Sequence, residues 1–326
     1  MLTSITIGRF GAAWISMDNQ LVDSPEAGLT EIKVPGCRWY QDFFQLMRGG
    51  RMMSFTTILS VIRCDHADSD LRAAVELSRS SGAHLSVLLL AIAAPPPLGE
   101  YAEHVSVAWL EERDADRSKL AERSTKIKDL LQETEVPHDI VDIYTEWTYV
   151  DNVVARQARY ADLLVIGPEL AADSPLKSAV VDGALFHSSV PVLIIPRNAI
   201  PTLKPHSVVL AWNDTPEAAK AAKQGLEFLK AASKVHGGMV DPEPGIEQPG
   251  AEIGIYLARH GVNFSADVLR SDGRTVAETL KQYADDVAAD MIVMGAYGHS
   301  RMRERIFGGV TRSMLEHPSR PVFLAR

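Results

Sequence analysis

Short apolar runs alternate with longer amphipathic segments from Phe55 to the end of the chain. A run rich in Val, Ile and Leu and bounded by turn residues predicts a buried strand. Apolar residues that recur every three or four positions predict a helix with one buried face. In the first half these patterns predict the strands Thr57–Ile62, Leu85–Ala91, Asp139–Tyr144, Leu163–Ile166 and Pro191–Ile195 and the helices Ser69–Ser80, Ala108–Thr134 and Tyr149–Tyr160.

The second half repeats this order of segments. The segment Val235–Gly245 stands where its second strand is expected, but it contains three glycines and two prolines. Both residue types are unfavourable inside strands, so we expect a loop or a very short strand there. The remaining patterns predict the strands Val208–Trp212, Val262–Leu269, Met291–Met294 and Pro321–Ala325 and the helices Thr215–Ala232, Ala251–His260 and Thr275–Ala288.

Two stretches of similar sequence relate the halves. Ala161–Gly167 reads ADLLVIG and Ala289–Gly295 reads ADMIVMG, and each is followed later by a Pro-Val strand. Strands that alternate with helices predict a parallel sheet covered on both faces. The sequence therefore predicts an α/β protein of two tandem, doubly wound, five-stranded parallel-sheet domains, at 53–198 and 207–326, with a linker at 199–206 that contains two prolines.

Residues 1–52 have weak periodicity and many turn residues. They lack a basic start followed by an apolar core, which argues against a signal peptide. We expect these residues to be a flexible extension, or else not to be translated, in which case translation starts at Met52 or Met53.

Composition excludes several functions. The net charge of the 326 residues is −9 without a basic block, which argues against a nucleic-acid partner. No apolar run approaches the roughly 20 residues that span a bilayer, so we expect no membrane partner. The two cysteines, Cys37 and Cys64, provide neither a disulfide framework nor a zinc-binding spacing, so we expect no metal site and a cytoplasmic location.

The stretch Asp290–Arg326 carries the clearest signal for function. Its apolar run stops at Gly295, Gly298 follows, and after nine residues the pair Gly308-Gly309 opens a helical pattern. A strand, a glycine-bordered loop and a helix N-terminus in succession direct backbone N–H groups towards one point, where an anion can bind. A tight turn without any ligand is the alternative.

This spacing, G-x2-G-x9-G-G, resembles the nucleotide-binding signature of the universal stress protein family. The family usually has Ser or Thr at the position of Gly309. The resemblance covers Phe55–Arg326 and implies that the two copies pack as a pseudo-dimer within one chain, with a homodimer as a further option. It also implies that the cofactor is ATP or a related adenine nucleotide, with or without Mg2+.

The predicted nucleotide site combines the glycine motif with residues that the resemblance implies. Asn213 stands where the family often has a base- or ribose-binding aspartate, although helix capping explains Asn, Asp and Thr in this turn equally well. Arg301 and Arg303 are candidate phosphate contacts because the guanidinium group binds phosphate through two parallel hydrogen bonds, although surface arginines commonly contact solvent alone. The full predicted set is Ala211, Asn213, Met294, Gly295, Gly298, Gly308, Gly309, Val310 and Thr311.

The first copy lacks the motif, since Leu170 replaces the second glycine and Pro168 removes a backbone donor. We therefore predict that it does not bind ATP in the same way. The main hypothesis is a tandem universal stress protein that acts as a nucleotide-dependent switch in stress response. The alternatives are an interaction protein that binds no nucleotide and a weak ATP hydrolase; no catalytic residue is assigned because no general base is evident.

Overall fold

The computed structural model describes residues 55–94, 107–243, 248–298, 309–316 and 318–326, together with two short strands that precede them. The chain divides into two units, Met1–Met52 and Met53–Arg326. In the first unit, β1 (Trp14–Ile15) pairs antiparallel with β2 (Leu21–Val22). The expectations for residues 1–52 and for the domain boundaries stay predictions.

Alternating strands and helices build the first half of the second unit. The helix assigned to Tyr149–Tyr160 is a 3-10 turn followed by a shorter α-helix. Two helices that follow the strand Leu163–Ile166 were not predicted. The elements are β3 (Thr57–Arg63), α1 (Ser69–Ser81), β4 (His84–Ala93), α2 (Val107–Gln132), β5 (His138–Glu146), α3 (Val150–Ala158), β6 (Leu163–Ile166), α4 (Pro168–Ala172), α5 (Ser174–His187) and β7 (Val192–Ile194).

The second half repeats the alternation with shorter helices. The helix predicted over Thr215–Ala232 is interrupted at Gly225, the residue type with the lowest helix propensity after proline. The elements are β8 (Ser207–Ala211), α6 (Pro216–Gln224), α7 (Leu226–Ala231), β9 (Lys234–Val240), α8 (Ala251–Arg259), β10 (Phe264–Leu269), α9 (Val276–Asp286), β11 (Met291–Gly295), α10 (Gly309–Glu316) and β12 (Val322–Ala325).

All strands of the second unit belong to one ten-stranded sheet, in the order β10-β9-β8-β11-β12-β7-β6-β3-β4-β5. Every pairing within a half is parallel, and each half has the strand order 3-2-1-4-5. The halves meet where β12 pairs antiparallel with β7, with Phe323 opposite Leu193. The predicted fold of two doubly wound, five-stranded parallel sheets is therefore confirmed, and the two sheets are continuous.

Buried apolar residues form one cluster on each face of this sheet, and both clusters include residues of both halves. The ring of Phe228 lies between two others, 5.3 Å from that of Phe55 and 5.1 Å from that of Phe323. Phe55 belongs to the first half and the other two rings to the second. Because the halves share their cores, separating them would expose apolar surface on both.

Side-chain caps explain where two helices of the second half begin. Thr215 accepts a hydrogen bond from the Ala218 amide, and Pro216 is the first helical residue, as the sequence predicts. At α9, the Thr275 and Glu278 side chains each bond the other's backbone in a capping box.

Within the described residues, no helix combines the length and apolar character required to cross a bilayer.

The expectation of a loop or a very short strand at Val235–Gly245 is wrong for the first six of these residues. Residues Lys234–Val240 form the strand β9, which pairs in parallel with β8 and β10 on its two sides. The glycines that argued against a strand make room for neighbouring side chains. A Cβ at Gly237 would lie 2.4 Å from the Phe264 ring, and one at Gly238 would lie 3.2 Å from Cδ2 of Leu280. Pairing on both sides therefore outweighs the low strand propensity of glycine.

We predict that Gly237→Ala lowers the free energy of unfolding by about 1–3 kcal/mol, because the added methyl group forces the Phe264 ring to move. Gly254→Ala is the matched control. Gly254 lies in a helix and faces the same ring at an ordinary 3.4 Å, so this variant should be neutral or slightly stabilising. Urea unfolding measures both changes. Equal stability of the two variants would contradict the explanation of β9.

Candidate nucleotide site

The strand order of the second half reverses between β8 and β11. Helices after these two strands lead to opposite sides of the sheet, which leaves a crevice at their carboxyl ends. Ala211 and Gly295 are the last residues of the two strands, and Met294 pairs with Ala211. The topology therefore predicts a crevice between these residues of the predicted site.

Gly295 permits α6 to approach the end of β11. A Cβ at Gly295 would lie 2.6 Å from the backbone nitrogen of Ala218 and 2.6 Å from the carbonyl carbon of Glu217. Real Cβ atoms do not come this close to backbone atoms, so another residue at this position would displace the helix. Gly295 is thus required by packing, independently of any ligand.

Gly298 differs from Gly295 in this respect. A Cβ there would lie 3.4 Å from Oε2 of Glu217, which is an ordinary contact. The residue before it, Tyr297, has a left-handed backbone with φ of 63° although it carries a buried side chain. Its amide donates a hydrogen bond of 3.3 Å to the Thr311 hydroxyl, which is itself buried. This bond joins the end of β11 to the first turn of α10.

The turn after β8 has the contacts expected of a helix cap. The Thr215 hydroxyl donates to Oδ1 of Asn213 over 2.8 Å and also caps α6, and Asp214 has a left-handed φ of 57°. Asn213 is exposed beside the crevice. The capping role of this turn is therefore observed, while the nucleotide contact of Asn213 stays a prediction.

The described members of the predicted set lie at the ends of β8 and β11 and at the start of α10. Gly309 and Val310 are the first described residues of that helix, and a Cβ at Gly309 would meet no atom of the described residues within 4 Å. Gly308, Arg301 and Arg303 lie outside the residues that the structure describes. Among those it does describe, no group of three or more His, Cys, Asp or Glu residues is placed to hold a metal ion.

The first half contains the corresponding switch point, between β3 and β6, and an aspartate occupies it. The buried Asp70 carboxylate accepts hydrogen bonds from the backbone amides of Glu169, at 2.7 Å, and Leu170, at 3.1 Å. These amides open α4, so a resident carboxylate holds the place where a helix N-terminus would otherwise bind an anion. A Cβ at Gly167 would lie 2.6 Å from the Asp70 Cα atom.

Asp70 and Glu217 hold the same position in their halves, the second residue of the helix that follows the first strand. Sequence reasoning missed this role of Asp70. The available signal was an acidic residue in the first turn of α1 that can reach the end of β6. The arrangement supports the prediction that the first half does not bind ATP as the second half would.

Further charges surround Asp70. His66 lies 3.6 Å from both Asp70 and Asp173, and its interaction with the Asp70 carboxylate raises the pKa of the imidazole. Asp173 also pairs with Arg63 at 3.1 Å and caps α5. The switch point of the first half is therefore filled by the protein's own charged side chains.

An acidic residue lies at the seam between the halves. Burial raises the pKa of Asp182 in α5 to about 6, with a further rise from the Asp151 carboxylate and an opposing effect of His187. Burial raises the pKa of the Tyr297 hydroxyl in the second half, and the Asp182 carboxylate raises it further. Ionisation of the Asp182 carboxyl group therefore destabilises the folded protein.

The fold and the crevice together define a paired, doubly wound α/β protein. Residues 205–326 match the model of the universal stress protein family. A universal stress protein of Synechocystis sp. is 41% identical over 49 residues, which are 15% of this chain and 17% of that relative. The sequence likeness to the universal stress protein family therefore lies in residues 205–326.

Solved structures extend the likeness in fold to the first half. A universal stress protein from Archaeoglobus fulgidus is 14% identical, with a TM-score of 0.60 over 82% of this chain and 96% of that one. A putative universal stress protein from Pseudomonas aeruginosa is 14% identical, with a TM-score of 0.56 over 84% of this chain and 94% of that one. At these identities the comparison establishes the shared fold.

We predict that Asp70→Ala lowers the free energy of unfolding by about 2–4 kcal/mol, because it leaves two amides of α4 unpaired in a buried place. Asp114→Ala serves as the control: this aspartate is exposed on α2 and its loss should change stability by less than about 0.5 kcal/mol. Denaturant unfolding measures both. A small effect of Asp70→Ala would refute the capping role.

We also predict a pH dependence from Asp182. The pKa of Asp182 is raised from 3.8 to about 6 in the folded protein. Its contribution to the free energy of unfolding therefore becomes less favourable as pH rises through this interval, and it stays so above it. Asp182→Asn should therefore stabilise the protein by about 2 kcal/mol near pH 7.5, and the gain should vanish near pH 4. Asp272→Asn, an exposed control, should follow the wild type. A gain that is equal at both pH values would contradict the assignment.

Proposed function

We propose that the second half binds ATP or a related adenine nucleotide at the switch point between β8 and β11. The observation that carries this proposal is the hydrogen bond between Tyr297 and Thr311, which places the glycine-bordered end of β11 beside the first turn of α10. The amides at the start of a helix have no acceptor within it and lie at its positive end. Polyphosphate is the ligand chemistry that such a place favours.

The ligand contacts would come from three segments of the second half. Gly309, Val310 and Thr311 supply the helix N-terminus, and Gly298 lets backbone approach the ligand without a side chain in between. Ala211, Asn213 and Met294 line the side where β8 and β11 end, which suits the nucleoside. Gly308, Arg301 and Arg303 remain candidate phosphate contacts, and Mg2+ remains a candidate companion of the phosphates.

The proposed role is a nucleotide-dependent switch in stress response within the cytoplasm. No base is assigned that would activate water, so any hydrolysis is expected to be slow. An interaction protein without nucleotide remains the rival, because packing alone explains Gly295 and capping alone explains the turn at Asn213. Gly298 favours a ligand over this rival, because a Cβ there would make only an ordinary contact with Glu217 among the described residues, so packing does not require a glycine.

Native mass spectrometry of freshly purified protein and calorimetric titration with ATP test the proposal. We expect one adenine nucleotide per chain. Gly298→Val should weaken binding at least about tenfold, which corresponds to 1.4 kcal/mol, because its side chain enters the crevice while folding tolerates it.

Gly308→Val tests the other end of the motif, and Gly254→Ala controls for replacement of a glycine outside the crevice. Wild-type affinity in both valine variants would refute the site. Absence of any adenine nucleotide affinity at millimolar concentration would favour the interaction protein, and phosphate release well above background would favour the hydrolase.

A further inference from the structure

One helix of the first half contacts, at two places, the elements that frame the proposed site of the second half. Helix α5 supplies Lys177, whose ammonium group bonds the last turn of α10, and Phe186, whose ring packs on Tyr297. The Phe186 contact lies just after β11, and the Lys177 contact lies in the last turn of α10, before β12. The first half thereby touches both elements that frame the crevice.

Lys177 is buried, with only 2% of its surface exposed. Its ammonium group donates to the carbonyl oxygens of Ala171 and Leu315, each at 2.7 Å. Both carbonyls lie in the last turn of a helix, α4 in the first half and α10 in the second, where the helix dipole favours a cation. One buried charge therefore connects helix ends from the two halves.

The two lysines that hold α10 come from different halves. Lys281 of α9 donates to the Ser313 carbonyl oxygen over 2.9 Å from within the second half. Lys177, from the first half, bonds the carbonyl oxygen of Leu315, two residues further along α10. Burial lowers the pKa of Lys177, and the charges of Glu316 and Asp173 oppose this effect. The position of α10 thus depends on a residue that its own domain does not contain.

The ring contact acts at the opposite end. The centroids of Phe186 and Tyr297 are 4.6 Å apart, and the Arg326 guanidinium lies 4.0 Å above the Phe186 ring. Tyr297 has the strained left-handed backbone and donates its amide to Thr311. Support of its ring from the first half helps to hold that backbone, because single residues of this type persist where packing enforces them.

We propose that helix α5, through Lys177 and Phe186, positions α10 and the end of β11 so that the first half sets the nucleotide affinity of the second. The inference rests on the proposed function. It assigns a role to a first half whose own switch point is closed by Asp70. Neither residue touches the nucleotide in this scheme, so both are positioning residues.

Calorimetric titration with ATP tests this on the full chain. Lys177→Met should weaken ATP binding roughly 3- to 30-fold, the range of coupling between packed sites, because it leaves the Leu315 carbonyl without its ammonium partner. Lys177→Arg keeps the charge and should recover most of the affinity. Amide hydrogen exchange of residues 309–316 in the absence of ATP should be faster in Lys177→Met than in the wild type.

Val180→Ala is the matched control, since Val180 is a fully buried residue of the same helix that belongs to the core. It should lower stability without changing ATP affinity. Phe186→Ala provides a second test if Lys177→Met does not fold, because Phe186 is 38% exposed and its removal should be tolerated. We expect it to weaken ATP binding several-fold.

The outcomes separate two failures. A wild-type protein that binds no adenine nucleotide refutes the proposed function and this inference with it. A wild-type protein that binds ATP, with Lys177→Met or Phe186→Ala within twofold of it, leaves the function standing and overturns the inference. The same follows if Val180→Ala weakens binding as much as Lys177→Met does.

Discussion

The antiparallel pairing of β12 with β7 is the contact on which the arrangement of this protein depends. Either strand alone would be the exposed edge of a five-stranded sheet, with a row of unpaired backbone groups. Their pairing satisfies both edges at once and makes a single ten-stranded sheet. It also places the buried residues of both halves in the same two cores, so that Phe228 packs between Phe55 and Phe323.

This pairing joins two halves whose switch points differ. Each half has the same strand order, and in each an acidic residue stands second in the helix after the first strand. In the first half Asp70 bonds the amides that open α4 and closes the switch point. In the second half, no atom of the described residues lies within 4 Å of a Cβ built at Gly309. One topology thus supplies a first copy closed by its own side chain and a second copy for which a ligand is proposed.

Much of the fold could be predicted because apolar runs such as Leu163–Ile166 are buried on both faces of a parallel sheet and leave a strong local signal. The strand β9 could not, because its stability comes from pairing with β8 and β10 and from the fit of Phe264 over Gly237. A propensity argument counts the glycines and prolines and has no access to those partners.

The sequence by itself determined the fold class of two tandem doubly wound sheets, because this follows from local periodicity. The nucleotide site at the ends of β8 and β11 stays a prediction that rests on glycines near strand ends. The tertiary structure alone decided that Asp70 closes one switch point and that Lys177 reaches from α5 to the Leu315 carbonyl. Asp70 and Glu169 are 99 positions apart in the sequence, and Lys177 and Leu315 are 138 positions apart. Their partners are chosen by how the helices pack on the shared sheet, which no local pattern encodes.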